Sequence, residues 1–215
     1  MAPNCESVEW LTSALSNTSR ITTPYPHAVL DRFYDDATAD AILRWMEEDA
    51  PWVLDVQSFY VQYECDDLIN VLNTGATAPA VAPEMLDHLR QQLERIFETD
   101  LIAGRATVHA HKLLSGHAIG LHNDRPVRGV PSHRVIVHLN SAFDDSYGGH
   151  LVLLDRVDPE QSAVIVRPVH NSAILIEFSD HSWHCVDEVR AGTRYSIIYS
   201  FWHDDNDPLS EMDAH

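Results

Sequence analysis

Three side chains of the right type stand at a spacing that can do chemistry: His122, Asp124 and His184. Two imidazoles and one carboxylate bind a divalent iron on one face and leave the opposite face open, an arrangement suited to oxidation at non-haem Fe(II). On a strand, residues i and i+2 point to the same side, so His122 and Asp124 can face one cavity together. His184 opens a later strand, expected to approach from the opposite part of a barrel. Arg194 and Ser196 form a second i, i+2 pair. A guanidinium fork matches a carboxylate through paired hydrogen bonds, and a nearby hydroxyl adds a donor. The open iron positions suit a 2-oxo acid that chelates through two of them, with dioxygen at the third. Arg194 would then hold the acid's far carboxylate, brought beside the metal cavity by a hairpin from His184.

Short strands must present these residues, and the sequence supplies them. After about residue 105, apolar runs alternate with Gly, Pro, Asn and Asp: 107–114, 119–123, 134–140, 150–154, 163–169, 173–178, 184–189 and 194–202. Short strands separated by turn signals indicate a β-sandwich or jelly roll. Ahead of them, 27–33 reads as a strand, and Asp36 as the N-cap of a helix with Ile42, Leu43, Trp45 and Met46 on one face. Pro51 ends that helix. Residues 59–64 alternate as a strand and 76–82 read as a loop. Pro83 opens a second helix with the stripe Met85, Leu86, Leu89, Leu93, Ile96 and Phe97. The expected architecture is mainly β: a double-stranded β-helix of the jelly-roll or cupin type, with supporting helices packed on one sheet. The expected layout is one domain over 1–215, with a support region at 24–104, a catalytic core at 105–202 and an acidic tail at 203–215.

Bulk properties narrow the partners. The 215 residues suit one domain with a full core. A formal net charge of −19 argues against nucleic acid, whose phosphates need Lys and Arg, and against anionic membranes. No stretch reaches membrane-spanning length, and the first ten residues carry no secretory signal pattern. The cysteines, Cys5, Cys65 and Cys185, are odd in number and widely spaced, unlike a disulfide framework. A reducing cytoplasm is the expected setting, and it keeps iron ferrous.

Three segments together resemble the prolyl-4-hydroxylase-like group of Fe(II)/2-oxoglutarate dioxygenases. They are Gly116–Asp124, with the iron pair; Arg134–Asn140 followed by Gly148-Gly149-His150-Leu151; and His184–Val189 with Gly192–Ile198. The resemblance covers roughly residues 105 to 202. It implies iron bound by His122, Asp124 and His184, and 2-oxoglutarate anchored by Arg194 with Ser196 assisting. Leu151 would line the co-substrate pocket. His138 takes the place of a tyrosine that commonly helps hold 2-oxoglutarate, and an imidazole N–H can do the same. A second family tyrosine is missing, since the corresponding stretch here reads His111-Lys112-Leu113-Leu114. Halogenating relatives leave the carboxylate position empty, so Asp124 implies hydroxylation.

Other residues have weaker claims. His109 and His111 alternate like a cupin metal pair, but no Glu follows shortly after. His181 lies near His184 at a less suitable spacing, and His150 and His170 read as surface or turn residues. The loop 125–134 holds Arg125, Arg128 and Arg134 in an otherwise acidic chain. It reads either as recognition of a carboxylate-bearing substrate, with Arg128 and Arg134 as the contacts, or as pairing with the protein's own acids. Trp202 shares the parity of Arg194 and either walls the substrate pocket or joins the core. Cys185 has opposite parity to His184 and should pack.

The reading is an Fe(II)- and 2-oxoglutarate-dependent oxygenase that hydroxylates an unactivated C–H of an amino acid, short peptide or related small molecule, releasing succinate and CO2. The alternatives are a prolyl-type hydroxylase of proteins or peptides, and a non-catalytic cupin-like barrel that binds a metal or small ligand. Arg194 and Ser196 speak for the enzyme, because a simple metal sensor needs neither.

Overall fold

A computed structural model describes residues 15–125, 127–155 and 163–203. The acidic tail from 204 and the first 14 residues lie outside the described residues.

Two antiparallel sheets face each other. The strands, in chain order, are β1 (His27–Leu30), β2 (Val53–Val56), β3 (Val61–Cys65), β4 (Ala106–Leu114), β5 (Ile119–Asn123), β6 (His133–His138), β7 (Leu151–Asp155), β8 (Val164–Val166), β9 (Ala173–Glu177), β10 (Ser182–Val186) and β11 (Thr193–Phe201). One sheet has seven strands in the order β1-β9-β6-β11-β4-β3-β2, and the other has four in the order β5-β10-β7-β8. All eight strands expected after residue 105 are present, within a few residues of their expected bounds. This is the jelly-roll arrangement, mostly β with helices on one side.

Period-two patterning explains how the sheets pack. On the seven-stranded sheet, Val108, Ala110, Val135, Val137, Leu175, Ile197 and Tyr199 point outward into one core. Helix α1 (Asp36–Glu48) and helix α3 (Pro83–Phe97) cover that face with Ile42, Leu43, Met46, Leu89, Leu93 and Ile96. Each fully buried leucine contributes about 2 kcal/mol. The alternate residues, among them Leu113, Ile174, Ile176 and Phe178, point inward against Leu151, Leu153, Val166 and Val186 of the smaller sheet.

The support region is less separate than its sequence suggests, because β1, β2 and β3 are built into the larger sheet. The strand at β1 stops at Leu30, short of the expected 33. Downstream, the Asn171 side chain accepts from the amides of Phe33 and Tyr34 and turns the chain away. The N-cap of α1 is Asp35, one residue before the expected Asp36; its carboxylate accepts from Thr38 N at 3.0 Å. Residues Gly75–Val81, expected as a loop, form a 3-10 turn just before α3, and a short helix α2 (Leu68–Val71) follows β3. Strand β2 was not expected at all. It pairs on one side only, and Val53, Leu54 and Val56 are exposed, so no buried face marks it.

Candidate active site

The two histidines of the triad lie side by side on neighbouring strands. β5 and β10 are antiparallel partners, with His122 opposite His184, and the ring centroids are 4.2 Å apart. His184 therefore comes from the adjacent strand, and the expected approach from across the barrel is corrected: β10 crosses back to pair with β5 directly. Asp124 stands just beyond the end of β5. Its Oδ1 is 3.9 Å from His122 Nε2, and its Oδ2 is 3.6 Å from His184 Nε2. One ligand atom from each of the three lies within 4.8 Å of the other two, the only such group among the described residues.

The imidazoles are held in one tautomer. His122 Nδ1 donates to Gly120 O at 2.9 Å, and His184 Nδ1 donates to Ser182 O at 3.0 Å. Each ring thus keeps its Nε2 lone pair for the cavity, a common arrangement behind metal-bound histidines. Burial raises the Asp124 carboxyl, but the bond to His184 and the Arg134 cation outweigh it and hold the group well below the usual carboxylate range. Burial pushes His122 down, and His184 adds to the effect. The site offers one ionised carboxylate and two imidazoles whose Nε2 atoms face it. Phe59 packs on the His122 ring at 5.1 Å, and Gly120 N donates to Phe59 O at 2.6 Å. A Cβ at Gly120 would stand 3.0 Å from that oxygen, so glycine lets the strand approach the hairpin before β3.

A group of buried polar side chains stands on the inner face of the seven-stranded sheet. β11 enters that sheet by crossing over from β10, not by the expected hairpin. In register across four strands stand Glu64, His111, Ser196 and His138. Arg194, two residues before Ser196, is buried. It donates from Nε to Gly149 O at 2.9 Å and from Nη1 to Ser196 Oγ at 3.3 Å. Burial pulls its pKa down to about 10, against the opposing pull of Asp187. No carboxylate among the described residues forms an ion pair with it. A buried cation without an anion is costly, and an anionic ligand would complete it. His138 is 0% exposed and both of its ring nitrogens lack a partner. Burial, then Arg194, keeps it neutral by driving its pKa well down. Such an imidazole needs a partner, and a ligand carboxylate beside Arg194 would supply one. Leu151 packs against Leu113 and Ile174 at this end of the cavity.

Residues 107–203 match the family model described as the 2OG-Fe(II) oxygenase superfamily. Over this stretch the chain is similar to the 2OG-Fe(II) oxygenases. Solved structures agree on the fold. A prolyl-4-hydroxylase from Pseudomonas putida superposes with a TM-score of 0.65 at 16% identity, covering 91% of this chain and 98% of its own. A prolyl hydroxylase from Trichoplax adhaerens, solved with a hypoxia inducible factor oxygen degradation domain peptide fragment, superposes with 0.66 at 13% identity, covering 95% and 92%. A 2OG-Fe(II) oxygenase family oxidoreductase from Burkholderia pseudomallei gives 0.57 at 17%, covering 94% of each chain. Among curated proteins, none matches in sequence. The match over 107–203 points to a dioxygenase that takes Fe(II) as its metal and 2-oxoglutarate and dioxygen as co-substrates, and the prolyl hydroxylase structures share the fold. The donor set fits: two oriented Nε2 lone pairs, one ionised carboxylate, and an unpaired buried cation at the far end of the pocket.

The arginine loop is largely satisfied by the protein's own acids. Arg125 pairs with Asp180 at 2.7 Å, and Arg134 donates to Asp124. Arg128 lies on an exposed turn and has interactions of its own. Trp202 falls just beyond β11, is buried, and carries the Arg105 guanidinium at 4.9 Å over its ring. His150 bonds Asp187 at 3.1 Å, and His170 lies 3.5 Å from Asp40. Residues underrated from sequence are His109 and His111, which stack at 5.4 Å on the inner face of β4. Burial, then Arg134, brings His109 down to about 4, and His111 is driven well below the usual range. Their parity with the core residue Leu113 was the available signal. Neither belongs to the metal cluster, but His111 stands beside Ser196, on the other side from His138.

Proposed function

We propose that the protein hydroxylates an unactivated C–H of an amino acid, free or within a short peptide, or of a related small molecule. The observation that carries this reading is the coexistence of an intact His122–Asp124–His184 triad with a buried Arg194 that lacks an anion. Fe(II) and 2-oxoglutarate, when bound, supply the oxidative decarboxylation with dioxygen that yields succinate, CO2 and the oxidant for the C–H bond.

This chain's residues do the rest. His122, Asp124 and His184 hold the metal, and the carboxylate at Asp124 favours oxygen insertion over halide transfer. Arg194 and Ser196 bind the distal carboxylate of 2-oxoglutarate. His138 donates an N–H to the same ligand, and Leu151 walls the pocket. The neutral His109 and His111 offer hydrogen bonds toward the cavity without adding charge. Arg128, exposed near the mouth, remains a candidate contact for a carboxylate-bearing substrate. The cysteine pattern supports a reducing, cytoplasmic setting. No helix among the described residues is long and apolar enough to cross a membrane.

A second reading, a prolyl-type hydroxylase of peptides or proteins, is favoured by one feature. Edge strand β2 and the following turn expose Val53, Leu54, Val56 and Phe59, and Phe59 touches His122. An unpaired edge beside the metal suits an extended peptide. Succinate release measured against panels of free amino acids and of short peptides tests both. Stimulation by free amino acids, or by peptides whether or not they contain proline, supports the first; stimulation by proline-containing peptides alone supports the second; none by either contradicts the second and leaves of the first only a related small molecule.

A further inference from the structure

Arg134 stands against the ligand carboxylate. Its Nη1 donates to Asp124 Oδ2, and its guanidinium lies over the Phe178 ring, 5.2 Å from the centroid. Phe178 in turn stacks on His184 at 5.7 Å and 14°. One side chain is thereby fixed against two members of the triad, through a charged hydrogen bond to one and an aromatic ring to the other. Arg134 comes from β6, where it pairs with Ser200 of β11 and Ile176 of β9. It reaches across from the seven-stranded sheet to ligands borne by the four-stranded one.

Which carboxylate oxygen is engaged has a consequence. Carboxylates bind metals through one oxygen or through both. A triad that uses one oxygen leaves three positions open. Two of those suffice for a 2-oxo acid chelate, and the third remains for dioxygen. A carboxylate bound through both oxygens takes an extra position and closes the third. Oδ2 of Asp124 lies 3.6 Å from His184 Nε2 but is committed to a guanidinium, while Oδ1 lies 3.9 Å from His122 Nε2 and takes no bond from Arg134. We propose that Arg134 is a positioning residue that restricts Asp124 to a single metal-binding oxygen and so preserves the third open position. The inference rests on the reading of His122, Asp124 and His184 as the metal ligands. It assigns Arg134 to the metal carboxylate and not to a substrate carboxylate.

The test counts water molecules on the bound metal, using Mn(II) alone as the probe. Line broadening of the Mn(II) paramagnetic resonance spectrum in oxygen-17-enriched water reports that number. The wild-type protein is expected to show three water ligands and Arg134→Leu two. Arg134→Lys keeps a charged donor and is expected to hold the wild-type number. The affinity of Mn(II)-loaded Arg134→Leu for 2-oxoglutarate is expected to fall roughly tenfold, the lower end of the cost of losing an outer-shell partner. Arg134→Met, which also lacks a donor, carries the same expectation if the leucine variant does not fold. An unchanged water count in Arg134→Leu or Arg134→Met overturns the proposal, including when the melting temperature drops, since that is the mark of a merely structural residue. Wild-type protein that takes up no Mn(II) removes the metal site itself, a failure distinct from an unchanged count.

Discussion

At the scale of single residues, the pocket is defined by polar groups that lack partners inside the protein. Arg194 is the sharpest case: a buried guanidinium that donates to one carbonyl and one hydroxyl and pairs with no carboxylate among the described residues. A charge-assisted bond is worth about 1.5–3 kcal/mol, so Arg194→Ala should weaken 2-oxoglutarate binding to the metal-loaded protein by roughly ten- to a hundredfold. Calorimetric titration of 2-oxoglutarate measures this, and unchanged affinity would remove Arg194 from the pocket. His138 has both nitrogens unpartnered, so His138→Phe should lose several-fold in the same affinity, while His138→Gln, which keeps an N–H donor, loses less. These residues were legible from type and spacing because carboxylate and metal chemistry permits few side chains. Arg134 and the pair His109–His111 were harder to read. Their roles depend on which side chain faces them across the cavity, and register between distant strands is not encoded locally.

At the scale of elements, the turn before β7 seats the site. Gly148 and Gly149 both have positive φ, at +68° and +73°. They start β7 and place the Gly149 carbonyl under Arg194. A Cβ at Gly148 would stand 2.0 Å from Glu188 O, so Gly148→Ala cannot be accommodated without moving backbone. We expect it to cost about 2 kcal/mol or more, read as a lowered midpoint in urea unfolding; a wild-type midpoint would show that the turn is not constrained. Helix α3 makes a different point. Its stripe was legible because period 3.6 over 15 residues leaves one apolar face, and Leu93→Ala should cost about 2–5 kcal/mol by cavity formation. Strand β2 was illegible for the converse reason: both of its faces are largely exposed, so no alternation marks it. His184 was read from its spacing as a partner of His122 and Asp124 but placed on the wrong side of the barrel, because strand order depends on long-range pairing.

At the scale of the whole molecule, a stack of neutral, half-buried imidazoles on the inner face of β4 links stability to pH. His109 is pulled from 6.5 to about 4, so the unfolded chain binds a proton in that interval that the folded chain does not. Stability therefore rises with pH across it and is lost as pH falls from about 6.5 toward 4. In the metal-free protein, His109→Phe should flatten the fall in melting temperature between about pH 7 and pH 5. Equal slopes for variant and wild type would show that His109 titrates freely. The fold as a whole holds the triad on the small sheet and the cation, the imidazoles and the hydroxyl on the large one, and the account stands on these two halves forming one site. The most direct measurement is anaerobic titration of the protein with Fe(II) and 2-oxoglutarate, followed by visible absorption. The account predicts a metal-to-ligand charge-transfer band that saturates at one iron per chain, is absent in His184→Ala, and needs much more 2-oxoglutarate in Arg194→Ala. No band and no retained iron in the wild-type protein, or an undiminished band in His184→Ala, would contradict it.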